Sequence, residues 1–167
     1  MAITACGSNV STLEPQPSTA GALPALISGD SAAALMAREP VTVIDVRQPW
    51  TDYLTNHLPG AEWANVESFR LGSGGLPFQL LSADGYRDLF QRLAVAPAGP
   101  VLLYSAGEAN DIDATFVAWL LSGMGHPVVR VLDGGFAKWV LDNRALARTY
   151  PRPAPVGRMS GAFHPEA

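Results

Sequence analysis

The loop after the predicted strand over residues 101–104 is the part of the sequence best placed for chemistry. It has the sequence Ser105-Ala106-Gly107-Glu108-Ala109-Asn110-Asp111 and runs directly into a predicted helix. Backbone N–H groups at a helix N-terminus, together with the helix dipole, favour an anion there. The side chains oppose that preference, because three acids lie in or just after the loop: Glu108, Asp111 and Asp113. Ser105 has no G-x-S-x-G elbow and no evident His/Asp pairing, so we do not expect a serine nucleophile.

Two other groups of polar residues are interpreted as structural. Asp45 and Arg47 lie at the end of a predicted strand, where an ion pair between them would anchor the following loop. His57 opens the turn His57-Leu58-Pro59-Gly60-Ala61. We expect this histidine to be hydrogen-bonded within the turn instead of acting as an acid or base.

Cys6 is the only cysteine in the chain, and it lies about a hundred residues before the loop. Its surroundings, Ile3-Thr4-Ala5-Cys6-Gly7-Ser8-Asn9, resemble a bacterial lipobox, in which the cysteine carries the lipid anchor of a periplasmic lipoprotein. The basic and apolar regions that a signal peptide needs do not precede it here. We therefore expect a periplasmic or membrane-anchored lipoprotein if a signal peptide lies upstream, and a cytoplasmic protein with an inert Cys6 otherwise.

The scarcity of ligand residues excludes several kinds of site. A single cysteine forms neither an internal disulfide nor a cysteine-based zinc site. The three histidines have no i, i+4 spacing, and they are His57, His126 and His164. We predict no metal and no cofactor.

Composition and charge narrow the class of protein. The chain has 167 residues and 48% hydrophobic residues, which suits one globular domain with tails. Eleven Lys plus Arg against 15 Asp plus Glu give a net charge of −4, so no nucleic acid partner is expected. The longest apolar stretches fall short of the about 18–20 residues that span a bilayer, and any membrane contact would come through a lipid at Cys6.

Apolar patterning predicts strands that alternate with helices. The predicted strands cover residues 41–46, 101–104 and 128–132. The predicted helices begin after Ser28 or Asp30, after Ser82, at Ile112 and after Gly134-Gly135, with a short helix or turn over 49–54. Such alternation indicates an α/β fold with a central parallel sheet and helices on both faces. Ligands of such sheets bind beyond the carboxyl ends of the strands.

The predicted domain is flanked by two segments of different composition. Residues 1–22 are rich in Ser, Thr, Pro, Ala and Gly and are predicted to be a flexible tether. The patterned domain covers residues 23–148. Residues 149–167 carry several prolines and are predicted to be a linker, or the start of a second domain.

Several motifs together resemble the rhodanese (sulfurtransferase) family. They are Val43-Ile44-Asp45-Val46-Arg47, Tyr53, His57-Leu58-Pro59-Gly60-Ala61, Val101-Leu102-Leu103-Tyr104 and Leu132-Asp133-Gly134-Gly135-Phe136 with Trp139. The resemblance covers roughly residues 26–144. It implies a rhodanese-like fold, sulfane-sulfur transfer through a persulfide, and structural motif positions at Asp45, Arg47, His57, Gly60, Gly134 and Gly135.

The resemblance also implies a cysteine directly after Tyr104 and an arginine five positions later. The chain has Ser105 and Asn110 at those positions. We therefore expect no catalytic residue in the loop 105–110 and predict that this chain alone is inactive. A cysteine-to-serine knockout is a poorer explanation, because it would have left the arginine in place.

Three interpretations of the inactive loop stay open. The length of the loop and the Gly125-His126 pair resemble the non-catalytic amino-terminal half of tandem-domain thiosulfate or mercaptopyruvate sulfurtransferases. In that case a second rhodanese domain, active through its own cysteine, would follow residue 167. Alternatively, the domain is a module that binds a partner protein, or a membrane-tethered periplasmic sensor or scaffold that uses the loop as a docking site.

Overall fold

A computed structural model describes residues 24–107, 111–152 and 156–164. Its main sheet has five parallel strands in the order β1-β7-β6-β2-β3. These strands are β1 (Ala25–Ile27), β2 (Thr42–Asp45), β3 (Ala61–Trp63), β6 (Val101–Tyr104) and β7 (Val129–Leu132). A separate antiparallel hairpin consists of β4 (Arg70–Ser73) and β5 (Leu76–Leu80).

Helices cover both faces of the sheet, as predicted. The helices are α1 (Gly29–Arg38), α2 (Trp50–Thr55), α3 (Ala83–Arg92), α4 (Ile112–Gly123) and α5 (Gly135–Leu141), with a 3₁₀ turn at Val66–Phe69. Residues of α3 and α4 pack on one face, where Tyr86 and Phe90 belong to the larger apolar core. Residues of α1, α2 and α5 pack on the other face, where Tyr53 and Trp139 belong to the second core.

Strand order brings the predicted loops together. β2 lies between β6 and β3, and Asp45 is in register with Tyr104. β7 lies on the other side of β6. Because the strands are parallel, the loops after β2, β6 and β7 leave from one edge of the sheet, as the alternating pattern predicts.

Local capping explains where two helices begin. The Ser28 side chain accepts a hydrogen bond from the backbone of Ser31, and the Ser82 side chain accepts one from the backbone of Gly85. Both bonds satisfy donors that an uncapped helix leaves free. Of the two caps considered for α1, the structure uses Ser28 and not Asp30.

Several elements have no counterpart in the sequence prediction. β1 and β3 have only three residues each and lie at the two edges of the sheet. The β4–β5 hairpin leaves most of its side chains exposed, so it lacks the alternation by which strands are recognised. α4 begins at Ile112, as predicted, and ends at Gly123, and Gly125 with φ +81° follows it.

Residues 156–164, which we call the C-terminal strap, lie against α3 and α4. Met159 is buried, and the ring of Phe163 packs against Tyr86 and Trp119. The backbone of His164 donates a 2.7 Å hydrogen bond to the carbonyl of Gly123. That residues 149–167 connect the domain to another one stays a prediction. In the described residues, no helix is long and apolar enough to span a membrane.

Candidate functional site

A cavity of about 360 Å³ opens at the carboxyl edge of the sheet, where β2 and β6 end and α4 begins. Its walls come from Val46, Arg47, Gln48, Ser105, Ala106, Ile112 and Asp113. The sequence placed the loop after Tyr104 at this edge, and the cavity lies there. Gln48 and the exposed Ile112 also line the cavity, and the sequence motifs did not predict either of them as a lining residue.

Ser105 is almost fully buried at the base of this cavity. Its Oγ donates a 2.8 Å hydrogen bond to Oδ1 of Asp111. Its backbone carbonyl accepts a hydrogen bond from the amide of Phe136 at the start of α5. Both polar ends of the residue therefore have protein partners.

Arg47 lines the cavity, and it forms a buried ion pair with Asp45. Nη2 of Arg47 lies 2.6 Å from Oδ2 of Asp45, and Nε lies 3.0 Å from both carboxylate oxygens. The guanidinium also donates to the carbonyl of Asn56 and stacks 3.6 Å above the ring of Phe136. The ion pair expected at the strand end is present, and it leaves little of the positive charge to attract an anion.

Tyr104 connects this ion pair to the turn at His57. Its hydroxyl donates a 2.6 Å hydrogen bond to Oδ2 of Asp45 and accepts one from the amide of Leu58. Burial raises the pKa of Tyr104, and the neighbouring Asp45 raises it further. The phenol therefore stays protonated and acts as a fixed donor.

Acidic groups set the electrostatics of the cavity. Asp113 lines the cavity, and partial burial raises the pKa of its carboxyl, while Arg70 opposes that shift. Asp111 adds a second carboxylate, which accepts a hydrogen bond from the hydroxyl of Ser105. The described walls of the cavity therefore combine one carboxylate, that of Asp113, with one guanidinium already paired to Asp45.

The Gly134-Gly135 motif lets α5 approach the loop closely. Gly107 and Gly135 have φ values of +94° and +52°. A Cβ on Gly135 would lie 2.7 Å from the carbonyl oxygen of Ser105, and one on Gly107 would overlap the carbonyl of Gly134. The amide of Ala137 donates to the carbonyl of Ala106, so the first turn of α5 holds the loop in place.

His57 and Gly60 lie away from the cavity walls. His57 is fully buried, and both ring nitrogens lie within hydrogen-bond distance of backbone carbonyls, those of Tyr53 and Thr149. Both partners lie outside the turn 57–61, Tyr53 in α2 and Thr149 in a segment distant in sequence. Gly60, at φ +74°, forms the turn itself.

Some predicted site residues lie outside the described residues. They are Cys6, Glu108, Ala109 and Asn110. Among residues 24–107, 111–152 and 156–164, no group of three or more His, Cys, Asp or Glu side chains is arranged to hold a metal ion.

The fold and site define an α/β domain with a parallel five-stranded sheet and a cavity under the loop after its central strand. Residues 28–142 match the rhodanese-like domain family, and the chain belongs to that family. The resemblance seen in the motifs is thereby confirmed.

Curated relatives and a solved structure agree with this assignment. A putative thiosulfate sulfurtransferase of Synechococcus elongatus is 32% identical over 141 residues, covering 84% of this chain and 43% of the relative. The thiosulfate sulfurtransferase of Gallus gallus is 32% identical over 110 residues, covering 66% and 37%. The crystal structure of the 3-mercaptopyruvate sulfotransferase SseA of Escherichia coli superposes with a TM-score of 0.75 at 26% identity, covering 86% of this chain and 57% of that one. The chain thus spans less than half the length of the two curated relatives.

Proposed function

We propose that this chain is a rhodanese-like domain that transfers no sulfur through its own loop and serves as a structural or binding half of a sulfurtransferase. The observation that carries the proposal is the hydrogen bond from Ser105 Oγ to Asp111 Oδ1, at the position where the family resemblance implies a cysteine.

Serine and cysteine differ in the step that matters for sulfur transfer. A persulfide forms when a thiolate attacks the sulfur donor, and a thiol ionises readily next to cations or a helix N-terminus. A hydroxyl requires a general base to attack. The carboxylate of Asp111 accepts a hydrogen bond from Ser105 and could assist such an attack, but an oxygen side chain has no sulfur atom on which a persulfide could form.

The charge of the site supports the same conclusion. Arg47 is the cation among the described wall residues, and Asp45 neutralises it. Asp113 adds negative charge to the opposite wall. Thiosulfate would therefore meet no free cation on these walls, and it would be repelled by the acid.

The lengths of the relatives favour a domain that works with a partner. The two curated sulfurtransferases are more than twice as long as the part that this chain matches. We infer that the partner is a second rhodanese-like domain or another protein that binds at this edge of the sheet.

The activity test uses the purified chain with thiosulfate and cyanide, and the release of thiocyanate as the readout. We expect no turnover above the rate of a matched blank. Cys6→Ala serves as the control, because a thiol in the amino-terminal segment could react on its own. Clear turnover that survives Cys6→Ala would overturn the proposal.

The partner is tested separately by reading the coding DNA on both sides of the chain. A second rhodanese-like domain with a cysteine in its loop, in the same reading frame, supports the tandem arrangement. A stop codon directly after Ala167 removes that arrangement and leaves a separate binding partner.

A further inference from the structure

The β4–β5 hairpin carries apolar side chains that belong to neither core. Leu76, Phe78 and Leu80 are 62%, 65% and 40% exposed. Leu80 lies opposite Arg70 in the register of the hairpin, and the ring of Phe78 lies 4.6 Å from the guanidinium of Arg70. Phe78 and Leu80 therefore lie on the face of the hairpin that carries Arg70. A two-stranded hairpin is marginal in water unless such a face packs on further structure.

Hydrogen bonds fix the base of the hairpin to the domain. The hydroxyl of Tyr86 accepts from the amide of Leu81, directly after β5, and donates to the carbonyl of Phe69, directly before β4. Tyr86 itself is fully buried. The hairpin is therefore anchored where it leaves the domain, and its open face is a fixed part of the surface.

This open face continues onto α4 and reaches the candidate cavity. Arg70 lies between two rings, because its guanidinium is also 6.0 Å from the ring of Phe116 in α4. Ile112 comes four residues before Phe116, so the two side chains share one side of the helix. Ile112 is 74% exposed and lines the cavity. We call this continuous set the hairpin surface, and its members are Leu76, Phe78, Leu80, Ile112, Phe116 and Arg70.

The backbone of Phe78 is a second observation that points to a binding surface. Its φ of +58° lies in the left-handed region, which a bulky side chain rarely adopts. Strain of this kind is concentrated at sites that bind ligands or partners. Most of the Phe78 side chain is nevertheless exposed, so the strained backbone holds a large ring toward solvent.

The area of the hairpin surface suits a contact between two copies of the chain. The exposed parts of Leu76, Phe78, Leu80 and Ile112 amount to about 500 Å² of apolar surface, comparable to the largest patch on an ordinary monomer. Covering the same patch on both copies buries about 1,000 Å² from these side chains alone, and the polar rim adds to that. Specific interfaces begin at about 1,000–1,200 Å².

The charges beside the hairpin surface are complementary to those of its own copy. Arg70 is paired with Glu67, which is largely exposed, and it also interacts electrostatically with Asp113. In a contact with two-fold symmetry the same patch meets itself, so a charged rim must carry both signs. One cation flanked by two acids meets that condition, because the cation of each copy can face an acid of the other.

We propose that two copies of this chain associate through the hairpin surface about a two-fold axis, with Phe78 at the centre of the contact. Because Ile112 also lines the cavity, the second copy lies beside the loop after β6 and screens it from solvent. This inference rests on the proposed function, since it identifies the partner domain as a second copy of the chain.

Sedimentation velocity of the unaltered chain tests the association. We expect a monomer at about 1 µM and a dimer at about 200 µM, because an interface near the lower size limit binds with a dissociation constant of about 10 µM. A chain that is still monomeric at the higher concentration would overturn the inference.

Matched variants locate the contact. Phe78→Asn removes the ring and keeps a residue that tolerates a positive φ, and Ile112→Ser removes an apolar side chain at the other end of the surface. Each should raise the dissociation constant about tenfold or more. Leu141→Ser is the control, because Leu141 is 78% exposed in α5 on the other face of the sheet and should change the constant less than about twofold. Equal weakening by all three variants, or by none, would show that the copies meet elsewhere.

Hydrogen exchange of the unaltered chain provides a readout that needs no variant. Backbone amides of residues 70–80 should exchange more slowly at the higher concentration, and those of α5 should not change. Slowing confined to other residues would contradict the contact, even if a variant fails to fold. None of these measurements depends on sulfur transfer. A monomer without turnover refutes the dimer alone, and a dimer that forms thiocyanate refutes the proposed inactivity alone.

Discussion

The hydroxyl of Tyr104 lies 2.6 Å from Oδ2 of Asp45, and this contact joins the ends of two neighbouring strands. The same carboxylate holds Arg47, and the same hydroxyl holds the amide of Leu58. The buried Asp45 carboxylate therefore accepts from four donors, which are the hydroxyl of Tyr104 and the backbone N–H, Nε and Nη2 of Arg47. These contacts form a buried hydrogen-bond network, of which Arg47 also lines the cavity, and removing one member leaves its partners unsatisfied.

Tyr104→Phe should lower the free energy of unfolding by about 1–3 kcal/mol, because the amide of Leu58 and one oxygen of Asp45 both lose a partner in a buried place. Urea unfolding followed by circular dichroism measures the change. Tyr150→Phe is the matched control, since its half-exposed hydroxyl can be replaced by water. Equal effects of the two substitutions would contradict a network centred on Tyr104.

The acids near Ser105 predict how a thiol would behave there. In a Cys6→Ala background, Ser105→Cys should give a thiol that ionises above the ordinary value of about 8.5, because Asp111 and Asp113 oppose a second negative charge. The rate of alkylation by iodoacetamide against pH measures that ionisation. We expect no gain in thiocyanate formation from this single substitution.

Ser105→Cys with Asp111→Asn provides the comparison, since it removes the carboxylate that contacts position 105. Its thiol should ionise at a lower pH than the thiol of the single variant. Fast alkylation of the single variant at pH 6 would show that the helix N-terminus outweighs the acids.

Some elements of the fold can be predicted from the sequence, and others cannot. β6 was predictable because all four of its residues are apolar or aromatic and buried, and the Asp45–Arg47 pair was predictable because its residues lie at a strand end. The β4–β5 hairpin was not, because its apolar residues are exposed and one of them, Phe78, has a φ of +58°. The position of Phe136 over Arg47 is not predictable from the sequence either, since it depends on how α5 approaches the loop.

Residues 145–150 and the C-terminal strap illustrate a second limit of sequence reasoning. Their prolines and sparse apolar residues predicted a linker, yet Met159 is buried and Thr149 contacts His57. Irregular backbone shows no periodicity even where it packs tightly. Its contacts cannot be predicted locally, because the surfaces that it packs against belong to α2, α3 and α4, which are distant in sequence.

Two glycines of the strap provide a matched test of its packing. A Cβ on Gly161 would overlap the carbonyl of Met124, whereas a Cβ on Gly157 would meet only Pro97, at 3.7 Å. Gly161→Ala should therefore lower the free energy of unfolding by about 1–3 kcal/mol, and Gly157→Ala should change it by less than about 0.5 kcal/mol. Urea unfolding measures both. Similar values for both variants would mean that the strap does not hold its place on α4 in solution.

Burial of His126 predicts a pH dependence of stability with a definite sign. Its pKa is lowered in the folded protein, so between that value and the unfolded value near 6.5 the unfolded chain binds the proton and the folded one does not. Stability contributed by the neutral ring is present above pH 6.5 and is lost as the pH falls, by at most about 1.4 kcal/mol per pH unit.

His126→Gln isolates this contribution, because glutamine does not titrate and its amide can still donate to the carbonyl of Ala96. The difference in the free energy of unfolding between the unaltered chain and the variant should shrink steadily from pH 7.5 to pH 5. A difference for His126→Gln that stays constant or grows on acidification would show that the buried ring accepts a proton without cost, contrary to its single-donor environment.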